Sequence, residues 1–215
     1  EQTLLQESVS RFMQNDYGFE ARQKNASTEQ GFSAENWQTF AELGWLGVPF
    51  SEADGGFGGG AIETALMSEQ FGRGLLIEPF LATVILAGGA IKHGGSEEQK
   101  SQYLPGIIDG SKHAALAFVE PQARFNIADI TTTATADGDG YVLNGYKAVV
   151  LNGPQADFLV VSARTSGEQR DEDGVSLFVM DAATAGISRR DYPTVDAFRA
   201  SEITFENVKI GADSL

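Results

Sequence analysis

The sequence predicts an α+β chain: an N-terminal all-helical domain over residues 1–112, followed by an antiparallel β-barrel-like domain over residues 113–215. Three observations carry this. Apolar residues recur at three- and four-residue steps up to about Gly110. The period shifts towards two after Ala114, and turn dipeptides then punctuate short apolar runs.

In the first half, Leu4, Leu5, Val9, Phe12 and Met13 fall on one face of a helix packed on something larger. A second helix is expected after Ser33, carrying Trp37, Phe40, Ala41 and Leu43 and ending at Gly44. A third runs from about Ala61 to Phe71, with Gly72 and Gly74 marking its exit. Phe80 to Lys92 is apolar nearly all round, so it is expected to be the most buried helix of this half. Ser96-Glu97-Glu98-Gln99 is a capping box that opens a helix with Tyr103, Leu104, Ile107 and Ile108, stopped by Gly110.

In the second half, Asp137-Gly138-Asp139-Gly140 reads as a turn and Tyr141 to Leu143 as a short strand. Asn144-Gly145 reads as a hairpin dipeptide leading into a strand from Tyr146 to Leu151. Phe158 to Ser162, Ser176 to Met180 and Glu202 to Ile210 read as further strands. In the last, Ile203 and Phe205 share one parity while Val208 and Ile210 take the other, which predicts a bulge near Glu206-Asn207. Thr165 to Gly174 is polar and charged and reads as an exposed hairpin loop.

Composition excludes several functions. A chain of 215 residues can bury roughly 70% of its unfolded surface, enough for one or two domains. With 30 acidic against 15 basic residues, a net charge of -15 argues against nucleic-acid or anionic-membrane binding. The absence of Cys removes disulfides, thiol nucleophiles and thiolate metal sites, and two His leave little for any other metal site. The longest apolar run, Phe80 to Ile91, falls short of the roughly 20 residues needed to span a bilayer, so no membrane insertion is expected. No signal peptide is visible, the first residue is Glu1 rather than Met, and a cytoplasmic location is expected.

Gly56-Phe57-Gly58-Gly59-Gly60-Ala61 formally fits the G-x-G-x-x-A dinucleotide fingerprint, with Glu78 at a tolerable distance for a ribose-binding acid. That fingerprint works only between a strand and a helix, and here both flanks are helical, so a tight glycine-permitted loop is the better reading.

Several segments, in order, resemble the acyl-CoA dehydrogenase family. LGWLGVPFSEADGGFGGG, from Leu43 to Gly60, is similar to L-G-x-x-G-x-x-x-P-E-E-x-G-G-x-G. GSEEQKSQYLPGIIDG, from Gly95 to Gly110, is similar to G-T-E-E-Q-K-x-x-Y-L-P-x-L-x-x-G. Phe118-Val119-Glu120-Pro121 stands where the family has L-T-E-P, YVLNGYKAVVLNG where it has N-G-x-K followed by W-I-T-N-G, and Phe205 to Ile210 where it has F-x-D-V-x-V. In detail the chain looks closest to the divergent small subunits of the pimeloyl-CoA dehydrogenase type, through runs similar to YGFEARQK, DGGFGGG, VVLNG and VSARTSG.

The resemblance implies FAD-dependent α,β-dehydrogenation of an acyl-CoA thioester to a trans-2-enoyl-CoA. It places flavin contacts at Leu116, Phe118, Val119, Val149 and Leu151, and substrate contacts at Arg124 and Phe125. The chain departs from the pattern there: the T-E-P Thr is Val119, G-S-D is Arg124-Phe125-Asn126, and W-I-T is Val149-Val150-Leu151. A lost hydrogen bond costs about 0.5–1.5 kcal/mol, so two or three together weaken flavin binding by about two orders of magnitude. Main-chain contacts survive such changes.

The family's catalytic base lies in a C-terminal helical bundle expected beyond Leu215, so no catalytic residue is assigned in this chain. Glu120 reads as a structural acid. Glu78 reads as a carboxylate at a helix start before Pro79, or as a lining of the acyl pocket. Arg189 and Arg190 read as solvated charge, or as contacts to CoA phosphates. Two roles remain: a subunit or fragment that shares a flavin and acyl-CoA site, or a non-catalytic partner with a degenerate flavin site. The second implies a hetero-oligomer with a larger homologous acyl-CoA dehydrogenase subunit.

Overall fold

The computed structural model describes all residues 1–215. It divides into two compact units: residues 1–112 with Val195–Phe198, and residues 113–194 with Arg199–Leu215.

The first unit is helical. Its elements are α1 (Gln2–Asn15), α2 (Phe19–Ala26), α3 (Ala34–Glu42), α4 (Ala61–Arg73), a π-helical stretch (Phe80–Gly88) running into α5 (Gly89–Gly94), and α6 (Glu97–Ile108). Ser33 caps α3 by accepting from the Asn36 N–H. Ser96 and Gln99 form the expected capping box at α6, with exchanged bonds of 3.2 and 3.0 Å. The core is aromatic: Phe40 lies 5.1 Å from Trp45 and 5.6 Å from Phe71, and Phe71 lies 5.0 Å from Phe80, between ring centroids. The glycine run Gly58–Gly60 is a loop before α4, with no strand beside it.

Two expectations of burial need correction. Leu4 and Leu43 are exposed, because α1 buries only Val9 and Met13 and α3 ends one residue before Leu43. The Phe80–Gly88 stretch is wound as a π-helix and is the most buried helix of this half, as expected: it buries six of its nine residues, a larger share than any of α1–α6, and leaves Leu81 half exposed. Helix α2 had no signal in the sequence, since none of its residues is buried.

The second unit is a seven-stranded curled sheet. The strands are β1 (Ala114–Ala117), β2 (Thr133–Asp137), β3 (Gly140–Leu151), β4 (Phe158–Arg164), β5 (Val175–Asp181), β6 (Ile187–Pro193) and β7 (Arg199–Gly211). Their order is β1-β4-β2-β3-β7-β6, with β5 paired to β4. Most pairings are antiparallel, but β4 runs parallel to β1 and meets β2 in parallel at Thr133 and Arg164. Every residue of β4 is buried, as a near-continuous apolar run in a strand covered on both faces requires. The core joins Leu143 and Val150 of β3, Leu159 and Val161 of β4, Phe178 of β5 and Ile203 and Phe205 of β7.

Asn144-Gly145 is not a turn. β3 passes straight through it, pairing with β7 on both sides, whereas the turn expected at Asp137-Gly138-Asp139-Gly140 is present and closes the β2–β3 hairpin between the partners Asp137 and Gly140. Gly145 is there because a Cβ would collide with Thr132. The expected bulge is present: Leu143 faces Val208 and Gly145 faces Phe205, so Glu206-Asn207 opposes Asn144 alone. The Asn207 N–H donates to Asn144 Oδ1 at 2.8 Å. Strands β1, β2 and β6 are not among those read from the sequence; β6 is a charged edge strand without apolar alternation. No helix is long and apolar enough to cross a membrane.

Candidate functional site

The site is best built from Glu120, the acid at the end of the Phe118-Val119-Glu120 segment. It is buried, and its carboxylate accepts from five donors. Lys147 Nζ donates at 2.7 Å and the Thr132 N–H at 3.1 Å to Oε1. The Thr131 N–H at 2.8 Å, Thr131 Oγ1 at 2.5 Å and Gln122 Nε2 at 2.8 Å donate to Oε2. Burial alone would raise this carboxyl; the bonds from Lys147, Thr131 and Thr132 outweigh it and hold the pKa down at about 2. Glu120 is therefore a charged structural anchor, not a proton acceptor poised near neutrality.

Lys147 is equally buried, and it donates a second bond to Ser162 Oγ at 3.0 Å. Burial lowers its pKa, and the hydrogen bond and charge of Glu120 oppose that. The next residue, Ala148, donates its N–H to the Val119 carbonyl at 2.8 Å. An ion pair and a backbone bond thus tie residues 119–120 to residues 147–148.

Immediately beyond, β3 slips against β7: Lys147 faces Ile203 but Val150 faces Ser201, leaving Ala148-Val149 as a bulge opposite Glu202. Val149 sits at φ 49°, a left-handed conformation that a β-branched side chain adopts only under constraint. Arg124 at φ 51° and Asn152 at φ 59° are the neighbouring cases. Val149 and Arg124 are constrained there, whereas Asn152 is of a type that tolerates the left-handed region.

Of the named positions, the structure brings Phe118-Val119 against Ala148-Val149 through the Val119–Ala148 bond. Leu116, Phe118, Val119 and Leu151 are half buried, and Val149 is 47% exposed. Arg124 and Phe125 stand apart on the loop from Pro121 to Ala128, with Phe125 fully exposed. The apolar side chains suit the face of a planar ring, whereas its polar rim would meet main-chain groups only. No cluster of three His, Asp or Glu residues is arranged to hold a metal ion.

The Pro121–Ala128 loop is clamped where it returns to the sheet. Asp129 accepts from Gln169 Nε2 at 2.6 Å and Arg170 Nε at 2.7 Å. Arg164, at the end of β4, is buried and directs its guanidinium at carbonyl oxygens alone. These are Ala128 at 2.8 Å, Asp171 and Asp173 at 3.0 Å, Gln169 at 3.1 Å, Ser166 at 3.2 Å and Ile130 at 3.4 Å.

Lys147, Thr131, Thr132 and Arg164 escaped the sequence reading. Lys147 had a usable signal: it shares parity with buried Leu143 in an alternating strand, so a lone Lys there demands a buried acid. Arg189 and Arg190 do not form a paired cationic site. Arg190 engages Glu202 at 2.6 Å and Arg189 engages Asp191 at 3.2 Å, as opposite parities on β6 dictate. In the helical unit Glu78 is buried. It accepts from Tyr17 Oη at 2.6 Å, Asn36 Nδ2 at 3.1 Å and the Ser33 N–H at 3.3 Å. Burial and the Glu78 charge raise the Tyr17 pKa, keeping its phenol a donor.

Comparison with known proteins agrees with this architecture. Residues 1–111 match the acyl-CoA dehydrogenase N-terminal domain and residues 115–208 match its middle domain. The chain belongs to the acyl-CoA dehydrogenase family, whose members are flavoprotein oxidoreductases that bind FAD. It is 30% identical to the mitochondrial isovaleryl-CoA dehydrogenase of Pongo abelii, over 100% of this chain and 52% of that protein. It is 31% identical to acyl-CoA dehydrogenase FadE12 of Mycobacterium tuberculosis, over 100% of this chain and 56% of that protein. Among solved structures, the FAD complex of PigA superimposes with a TM-score of 0.89 at 31% identity, covering 99% of this chain and 57% of that one. The chain thus spans about half the length of the relatives it matches.

Proposed function

We propose that this chain supplies two domains, residues 1–112 and 113–215, to an acyl-CoA dehydrogenase assembly of the pimeloyl-CoA dehydrogenase small-subunit kind. In this reading it works as a hetero-oligomer with a larger homologous subunit and is the weaker flavin site of the pair. The substrate class is an acyl-CoA thioester and the product a trans-2-enoyl-CoA. FAD, when bound, supplies the hydride acceptor for that reaction.

The observation that carries this reading is the side-chain chemistry at Val119, Val149 and Leu151: three apolar groups and no hydroxyl on the segments that the Val119–Ala148 bond joins. Leu116, Phe118, Val119, Val149 and Leu151 would hold the ring by contact with its face and by main-chain N–H and C=O groups. Arg124 and Phe125 would meet the CoA portion. Glu120 holds the Phe118-Val119 strap in place and moves no proton, because its carboxyl stays ionised down to about pH 2. The base that takes the α-proton is assigned to no residue of this chain.

The test is flavin titration. The purified chain is expected to retain little or no flavin absorbance through dialysis, and the Val119→Thr/Leu151→Thr variant to bind FAD about 100-fold more tightly. A stoichiometric yellow chromophore on the unaltered chain would instead favour an autonomous flavin site.

A further inference from the structure

Two ties lie side by side between residues 119–120 and 147–148: the Ala148 N–H to the Val119 carbonyl at 2.8 Å, and Lys147 Nζ to Glu120 Oε1 at 2.7 Å. Both charged side chains are wholly buried. Replacing such a pair with apolar groups of similar volume is often neutral for stability, so stability alone does not explain an ion pair here. Position offers a better account. The register slip of β3 and the left-handed Val149 begin at the very next residues. An unconstrained strand would shed that strain by shifting or smoothing the bulge, and would carry Val149 away from Val119.

We propose that the Glu120–Lys147 pair is a positioning device that pins the Ala148-Val149 bulge against the Phe118-Val119 segment, so that their main-chain groups are set before any ligand arrives. The geometry stands without any cofactor; its use in holding the flavin rests on the function proposed above. Ser162 belongs to the device because it takes a second ammonium proton and fixes the direction in which Nζ points. Glu120 joins the strap to the start of β2 through Thr131 and Thr132, so one acid sets three segments in register.

The experiment uses the whole chain with Glu120→Gln/Lys147→Met, and Ser162→Ala as the milder variant should the first fail to fold. Amide hydrogen exchange is followed at residues 118–120 and 147–151, with 175–181 of β5, which holds none of the altered residues, as the internal control. Exchange at 147–151 is expected to rise at least 10-fold in the double variant and by a smaller factor in Ser162→Ala, with the β5 control unchanged. A general loss of fold would raise all three regions together. FAD affinity, measured in the Val119→Thr/Leu151→Thr background, is expected to fall at least 10-fold with the double change. Unchanged exchange at 147–151 in a folded variant overturns the proposal, as does a rise shared equally by β5. A local rise in exchange in a background that binds no FAD supports the positioning device and removes the flavin reading instead.

Discussion

Arg164→Lys is the sharpest test of how the exposed loops are held. The guanidinium reaches six carbonyl oxygens between 2.8 and 3.4 Å, belonging to Ala128, Ile130, Ser166, Gln169, Asp171 and Asp173. A lysine ammonium keeps the charge but has three donors at one point, so at least three of the six carbonyls lose their partner. At about 1 kcal/mol net for each lost bond, the cage loses roughly 3 kcal/mol, which is up to about 100-fold in the opening equilibrium of the Thr165–Gly174 loop that supplies four of the six oxygens. Because that loop is exposed, the loss should surface first as local opening. Trypsin cleavage after Arg170, whose side chain binds Asp129 in the intact protein, reads this directly, with urea unfolding as the global measure. A cleavage rate within 3-fold of the unaltered protein, with no loss of stability, would show that water replaces the guanidinium at no cost and would refute the reasoning.

Other outcomes follow from the same contacts. The Glu120 carboxyl titrates at about 2 when folded against an ordinary 4.5, so its contribution is complete above pH 4.5 and disappears as pH falls towards 2. That depression corresponds to about 3 kcal/mol. The stability advantage of the unaltered protein over Glu120→Gln/Lys147→Met should therefore shrink by about that much between pH 4.5 and pH 2 in urea titrations, and a flat difference would exclude it. Lys147→Met alone leaves Glu120 charged and buried, and should destabilise by about 3–5 kcal/mol, more than the double variant does; equal losses would count against a coupled pair. Val149→Asn places a residue tolerant of the left-handed region at φ 49° and should gain about 1 kcal/mol, seen as a higher melting temperature. Tyr17→Phe removes the donor to Glu78 and the acceptor for the Ile77 N–H, and should lose about 2–3 kcal/mol by urea unfolding; a neutral change would mean that water fills the gap.

Elements were legible in the sequence where local chemistry and tertiary packing agree. Ser33 and Ser96 begin helices because a hydroxyl followed by an apolar period specifies the same boundary twice. The bulge at Glu206-Asn207 was visible because a parity change in a buried strand has few other causes. Asn144-Gly145 failed for the opposite reason: its turn preference is local, and pairing with β7 on either side overrides it. Helix α2 carries one large apolar residue, Phe19, which is exposed, and so offers no apolar period to read. In the site, the segments that meet could be named from resemblance, but the bond between Val119 and Ala148 joins residues far apart in the chain. Nor could the strain at Val149 be anticipated, because it arises from a slip between two strands and not from the residue itself.

The carbonyl cage around Arg164 governs how the loop beyond it can diverge. A guanidinium that binds only main-chain oxygens is indifferent to the side chains those oxygens belong to, so Glu168, Glu172 and Asp173 are open to replacement by almost any residue, whereas the Asp171 carboxylate also accepts from the Glu168 N–H at 2.9 Å. What the cage fixes is spacing. Four of its oxygens come from residues 166, 169, 171 and 173, and Gly174 closes the loop at φ 87°, where a Cβ would strike the Ser166 carbonyl. The loop should therefore accept substitution freely and resist insertion or deletion of a single residue. A tag or epitope is better exchanged into it residue for residue than added to it.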